Sequence, residues 1–398
     1  MTTIPPPPTG PRRHTLSIAL PASVLAGLPT LEQRTLLGNR IARAACVYHV
    51  DEVVVYDDGL LSAGNAAGAK RYMDEMISFL QYSECPQYLR KTFFPLQNKN
   101  GTLAKAAWCH PVDAPHHCRE GERSLFREGA VTEKTARRNG KQVSMAHCGI
   151  RGCLVTLDRL LEKDVRVTVR IEDAEYDKVW GREDVPSGPK RGRGASSIAG
   201  AAVAPSAPRD YDGRYWGYEV RRAESFPEAM AGCPYGESYD LTIGTSERGT
   251  SSVDAKEGFG LPSFRNCLLV FGGQAGIEEV VDAIETSDDG QGNNDDGGWR
   301  EKMAACPGTE CGKLFDMWTN ICPWQGSRTI RTEEAVLIAL ARFRPYIASN
   351  LPNDKDESES EKDDEEVNIT LGDFGSDVPS DESSSDDDDD GSDSEKSP

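Results

Sequence analysis

Three glycine-bearing turns in the C-terminal half carry most of the residues whose types and spacing could do chemistry. They are Gly244-Thr-Ser-Glu-Arg-Gly249, Gly272-Gly273 with Gly276 beyond, and Cys322-Pro-Trp-Gln-Gly-Ser-Arg-Thr-Ile-Arg331. Each follows a strand-like run, and loops at the carboxyl ends of parallel strands are where open α/β sheets hold ligands. Glycine at such a point lets a ligand reach backbone amides. Taken singly, each is as a rule a plain tight turn; three that can converge favour one pocket. The dinucleotide pattern G-x-G-x-x-G after the first strand and the phosphate loop G-x-x-x-x-G-K-[ST] are both missing, which argues against nicotinamide and nucleoside-triphosphate enzymes. Cys109-His110, His116-His117-Cys118 and the set Cys306, Cys311 and Cys322 raise a metal site, but no paired C-x-x-C spacing supports zinc, and no metal is expected. Asp113-Ala-Pro-His-His117 reads either as a packing turn or as a contact to a phosphate or base.

The elements that would position these turns read as α/β. Thr15 to Leu20 is a short apolar strand stopped by Pro21, and Leu31, Leu37, Ile41, Ala44, Ala45 and Tyr48 recur at helical steps. Glu52 to Asp57 is a second strand, so a right-handed crossover into a parallel sheet is expected. A helix follows from about Ala66 to Leu80. Between residues 98 and 225 the helical signals vanish and short strands take over: Arg127 to Thr132, Gln142 to Ala146, Cys153 to Leu157, Val165 to Ile171 and Tyr215 to Arg222. These suit an inserted β-barrel of the OB type. Within it, residues 180 to 210, rich in Gly, Ala, Ser and Pro, are expected to be a disordered loop. The α/β pattern resumes at Tyr239 to Thr245, Cys267 to Phe271, a helix over Ile277 to Ile284, a strand from Leu314 to Ile321 and a last helix capped by Thr332. A low-complexity insertion occupies 286 to 298.

The organisation expected is therefore a Pro-rich disordered lead-in over 1–13, an α/β part over 14–97 and 226–350, the insert over 98–225, and a tail over 351–398. The net charge of −20 is concentrated in that tail, which holds 20 of the 65 acidic residues and three lysines, a net of −17. The body, with 45 acidic and 42 basic residues, is nearly neutral. A segment so charged and so poor in apolar side chains cannot bury a core. It reads as a solvating extension, or as a site for phosphorylation at Ser383 to Ser385 or for docking a basic protein partner. No run reaches the ~20 apolar residues of a membrane span, and the start lacks a secretory signal core. An odd count of eleven cysteines without a repeating frame suits a reducing compartment and no disulfides.

Five blocks, Val50 to Tyr56, Glu84 to Lys91, Thr242 to Gly249, Leu269 to Gly273 and Gln325 to Ala335, resemble the SPOUT-domain RNA methyltransferases of archaea and eukaryotes. The resemblance covers about residues 14 to 348. It implies a SPOUT α/β fold with a C-terminal trefoil knot, an OB-like insert, a homodimer, S-adenosylmethionine (S-adenosyl-L-methionine) bent within the knot loops, and ribosomal RNA as substrate, in the nucleus or nucleolus with the cytoplasm as the other location. Carried over by position, cofactor contacts fall to Thr245, Arg248, Gly272, Gly273, Asn320, Ile321, Gln325, Ser327 and Thr329. A uridine N3 target must lose a proton, and its developing anion would meet a guanidinium of Arg248, Arg328 or Arg331. Glu247 reads as a base or as an exposed or capping carboxylate. RNA needs only a local basic surface, for which Arg119, Arg123, Arg127, Lys134, Arg137, Arg138 and Lys141 are candidates, with Tyr215, Trp216 or Tyr218 either stacking on bases or buried as core. The rival class is a non-catalytic RNA-binding or mitotic scaffold that keeps the knot.

Overall fold

The computed structural model of the protein describes residues 10–95, 101–180, 197–255, 258–286 and 296–350. The Pro-rich start, the core of the insert's low-complexity run, most of the 286–298 insertion and the acidic tail lie outside the described residues.

The chain opens with β1 (Thr15–Pro21), α1 (Leu31–Val47), β2 (Glu52–Tyr56), α2 (Ser62–Glu84) and the single turn α3 (Arg90–Phe93). Both strands are buried along their whole length, as expected of an apolar run covered on two faces. The start of α1 is fixed by a capping box, in which Thr30 Oγ1 accepts from the Gln33 N–H at 3.3 Å and Gln33 Oε1 from the Thr30 N–H at 3.4 Å. β1 and β2 pair in parallel from Ser17 opposite Glu52 to Pro21 opposite Tyr56. Residues 10–13, expected to be part of a disordered lead-in, are held instead: Arg12 is buried and donates to Asp51 Oδ2 at 2.8 Å.

The insert contains β3 (Phe126–Arg138), β4 (Lys141–His147), β5 (Leu154–Thr156), β6 (Arg166–Arg170), α4 (Asp173–Trp180), β7 (Ser197–Ala199), β8 (Ala201–Val203) and α5 (Ala207–Asp212). Its strands form a six-stranded sheet in the order β7-β5-β4-β3-β6-β8 around its own core of Val131, Val155, Val169, Tyr176 and Ile198. The two edge strands, β7 and β8, are joined by Gly200 alone, so the edges meet and the sheet curls into a barrel. A Cβ on Gly200 would lie 2.6 Å from both Val155 of β5 and Val169 of β6, which is why no larger residue stands there. Residues 197–208, expected within a disordered loop, are thus barrel strands and the start of a helix. The Ala- and Gly-rich composition that imitates a linker is what the closure requires. Helices also appear where none is expected: α4, α5 and a 3-10 segment over Thr102–Trp108.

After the barrel come β9 (Glu219–Ala223), α6 (Phe226–Ala231), β10 (Leu241–Thr245), β11 (Ser251–Ser252), β12 (Asn266–Val270), α7 (Gly276–Thr286), α8 (Trp299–Ala304), β13 (Met317–Asn320) and α9 (Thr332–Ala348). The strand expected over Tyr215 to Arg222 is corrected on two counts. It begins at Glu219, and it pairs in parallel with β2 rather than joining the barrel. The strand expected from Leu314 begins only at Met317, because Gly308–Leu314 forms a 3-10 helix. The main sheet is seven-stranded and parallel, in the order β11-β13-β10-β12-β1-β2-β9. α1, α2 and α9 cover one face through Ile41, Met76 and Leu340, and α6, α7 and α8 cover the other through Phe226, Val280 and Met303.

Candidate functional site

β13, β10 and β12 are neighbours in the sheet, so the turns after them leave side by side at one end. Those turns close on a cavity of about 510 Å³, lined also by Leu28, just before α1, and Leu37 of α1. Of the site residues expected from the sequence, Thr245, Glu247, Arg248, Gly272, Gly273, Asn320, Ile321, Gln325, Arg328, Thr329 and Arg331 all line it. Ser327 does not line it; its Oγ accepts the Thr329 N–H at 3.4 Å and shapes the third turn.

Each turn is tied to the others. Thr245 Oγ1 donates to the Val270 carbonyl at 2.9 Å, joining the first turn to the second strand. Asn320 Nδ2 donates to the Glu247 carbonyl at 2.8 Å, and its Oδ1 accepts the Cys322 N–H at 3.0 Å. Its amide is thus spent bracing the first turn against the third. That approach is close because residue 249 is glycine: a Cβ there would sit 2.1 Å from the Asn320 nitrogen. Thr332 Oγ1 donates to the Gly272 carbonyl at 3.0 Å, joining the second turn to α9. Thr332, expected as the cap of that helix, is its first residue; Arg331 holds the cap position and donates its N–H to Glu334 Oε2 at 2.9 Å. Tyr56, whose hydroxyl is held neutral by burial and by nearby Asp58, donates to the Phe271 carbonyl at 2.9 Å. A pocket so braced loses little freedom when it is filled.

Sequence reasoning missed the acidic wall. Glu278 and Glu279, in the first turn of α7, and Glu333, in the first turn of α9, line the cavity. Glu278 Oε1 accepts from Ser246 Oγ at 2.9 Å, and buried Glu333 lies 3.6 Å from Arg40. Acids at helix starts are explained by the helix dipole alone, so the sequence carries no signal that these also face a ligand. Arg248, Arg328 and Arg331 line the same cavity and make no ion pair among the described residues. The cavity therefore offers carboxylates to a cationic group and guanidiniums to an anionic one.

Other candidates are placed elsewhere. His116 is fully buried, its Nε2 2.9 Å from the Glu84 carbonyl and 2.8 Å from Glu84 Oε1, and His117 Nε2 is 2.6 Å from the same carbonyl. Burial, with His116 beside it, lowers His117 to about 4. The His pair packs a joint. Arg127 is also fully buried, donating to the Cys148 and Glu122 carbonyls at 2.7 Å, and Arg123 pairs with Asp177 at 3.0 Å. Tyr215 and Tyr218 are core, donating to the carbonyls of Val50 at 2.9 Å and Leu80 at 2.8 Å, while Trp216 donates to Glu128 Oε1 at 2.7 Å. No group of three His, Cys, Asp or Glu among the described residues is placed to hold a metal ion. No described helix is long and apolar enough to cross a membrane.

Residues 15–343 match the family described as "Putative RNA methyltransferase". The human 28S rRNA (uridine-N(3))-methyltransferase is 39% identical over 341 residues, covering 84% of this chain and 79% of that protein. The Drosophila melanogaster protein of the same name is 36% identical over 358 residues, covering 85% and 64%. A Caenorhabditis elegans protein described as a putative methyltransferase is 30% identical over 363 residues, covering 84% and 81%.

Proposed function

The chain belongs to the "Putative RNA methyltransferase" family, and from that premise we propose that it methylates N3 of a uridine in large-subunit ribosomal RNA with S-adenosylmethionine as donor. Its architecture is the SPOUT α/β fold with an OB-like barrel insert, and its activity is that of an RNA methyltransferase. The observation that carries the site assignment is the meeting of three turns, distant in sequence, on one braced cavity.

The residues present suit the donor. A cavity of about 510 Å³ is of ordinary size for a cofactor, and Glu278, Glu279 and Glu333 give its positive charges a counterpart. Bound there, the donor supplies an electrophilic methyl group on a sulfonium. Methyl transfer is an in-line displacement that needs alignment more than covalent help, and the cross-braces through Asn320, Thr245 and Thr332 supply that alignment. Uridine N3 must shed its proton before it takes the methyl group. Glu247, exposed on the first turn with its carbonyl fixed by Asn320, is the acceptor proposed for that proton. The anion that forms across the uracil N3 and its flanking carbonyls is met by Arg248, Arg328 or Arg331, each exposed at the cavity. The proposal extends to a homodimer acting in the nucleus or nucleolus, supported by the family resemblance.

Purified protein incubated with ribosomal RNA and labelled S-adenosylmethionine is expected to yield 3-methyluridine on nucleoside mass spectrometry. Arg248→Ala is expected to reduce the initial rate of methylation about a hundredfold, the low end for losing one charge-stabilising donor. Donor binding by calorimetry with no methylated nucleoside in any ribosomal RNA would overturn the assignment.

A further inference from the structure

One hairpin of the barrel gathers exposed basic residues with no carboxylate among them. β3 and β4 pair from Ala130 opposite His147 to Arg138 opposite Lys141, with a bulge between Val131 and Thr135. Their other neighbours stop short: β6 pairs with β3 only over Phe126–Ala130, and β5 reaches β4 only at Met145 and Ala146. Val143 and Ser144 are buried, and Ser144 still bonds the backbone of Leu157 and Arg159. Residues 135–142 therefore end the pair as a two-stranded arm above them. Its tip is a two-residue turn, Asn139 and Gly140 at φ 51° and 80°, of the kind that suits a twisted hairpin.

The arm's charge has one sign. The 24 residues from Lys134 to Leu157 hold five cations, Lys134, Arg137, Arg138, Lys141 and Arg151, and no carboxylate, in a chain with 65 acidic residues. Glu133, just before them, is engaged by Lys163 at 3.5 Å. Arg138 donates to the Gly200 carbonyl at 2.7 Å and anchors the arm to the barrel closure. Lys134, Arg137 and Lys141 are exposed and make no ion pair among the described residues. Charges on a hairpin also prevent edge-to-edge association, but either sign would serve that end. A uniform positive sign on an otherwise acidic protein is what a polyanion selects.

We propose that this arm is the phosphate grip of the protein: Lys134, Arg137 and Lys141 hold the sugar-phosphate backbone of the substrate RNA while the target base occupies the cavity between the turns. The inference rests on the RNA methyltransferase reading. Contacts to backbone phosphates fix register without reading sequence, and they bind ground and transition states alike, so they act on KM rather than kcat.

The test uses the full chain. In R137Q/K141Q the plot of log affinity for ribosomal RNA against log salt is expected to become shallower by about 1.5, because each phosphate that a cation neutralises adds about 0.7 to 0.9 to the slope and the variant gives up two cations. KM for RNA rises, while kcat at saturating RNA, donor affinity and melting temperature stay at wild-type values. R137K/K141R restores the slope, and Lys178→Gln, on α4 outside the arm, leaves it unchanged. An active enzyme whose salt slope and KM are unchanged in R137Q/K141Q overturns the arm alone, as does a variant that recovers wild-type affinity once residues 351–398 are removed, since the arm would then serve the acidic tail. A wild-type protein that shows the arm-dependent slope yet methylates nothing sinks the enzymatic reading and leaves the arm standing.

Discussion

Asn320, expected at the cofactor site, also braces the frame around it. Its position in the third strand places it at the cavity, but both ends of its amide are used on backbone, toward Glu247 and Cys322. Asn320→Ala removes two hydrogen bonds of about 1 kcal/mol net each. The first turn is expected to loosen, so that the donor dissociation constant rises about 5- to 30-fold and the melting temperature falls by a few degrees; calorimetry checks the first and a thermal scan the second. An unchanged affinity would show that the first and third turns hold their relation without this brace. Arg127 makes the same point from the other side. As a residue type it was a candidate for RNA, yet it is among the most buried side chains and satisfies three carbonyls of its own surroundings. Sequence reports that a guanidinium is present; only packing decides whether it meets solvent or carbonyls.

At the scale of elements, legibility follows how much of each strand's environment is written in its own residues. β1, β2 and β12 could be read because a strand buried on both faces is apolar throughout. β7 and β8 could not, since Ser-Ile-Ala-Gly-Ala-Ala-Val is the composition of a linker and acquires meaning only when β5 and β6 lie on either side. β9 was legible as a strand but not as a member of the main sheet, because its partner β2 is more than 160 residues earlier. The closure at Gly200 permits a sharp prediction. Gly200→Val drives a branched side chain into Val155 and Val169, and overpacking of this kind costs about 1 to 3 kcal/mol. The expected result is a lower melting temperature together with weaker RNA binding, while donor affinity, set in the other sheet, is preserved. Equal loss of both affinities would mean that barrel and cavity do not fold as separable cores.

The barrel and the parallel sheet meet through an ionic joint, and this has a consequence for the whole molecule that pH can expose. Glu84, near the end of α2, accepts from Arg166 of β6 at 2.6 and 2.8 Å, and Arg166 reaches Glu128 of β3 at 2.6 Å. Burial alone would push the Glu84 carboxyl up, but Arg166 and His116 together reverse that and hold it well below its ordinary 4.5. A depressed carboxylate contributes stability above its ordinary pKa and loses it as pH falls toward the folded value. The histidines act earlier. Burial lowers His14, His49 and His117 from 6.5 to about 4, so between those values the unfolded chain binds protons that the folded one does not. Stability is accordingly expected to be full near pH 7, to decline from about 6.5 to 4 as the histidines favour unfolding, and to fall further below 4.5 as Glu84 is titrated. Glu84→Gln separates the two stages. Removing one partner of a buried pair costs about 3 to 5 kcal/mol, toward the lower end here because Arg166 keeps Glu128. The deficit measured by urea unfolding should be constant from pH 7 to 5 and should shrink below 4.5, where the unfolded wild-type chain takes up a proton on Glu84 that the folded chain does not. Curves for the two proteins that stay parallel down to pH 3 would mean that the joint is held by packing rather than by charge.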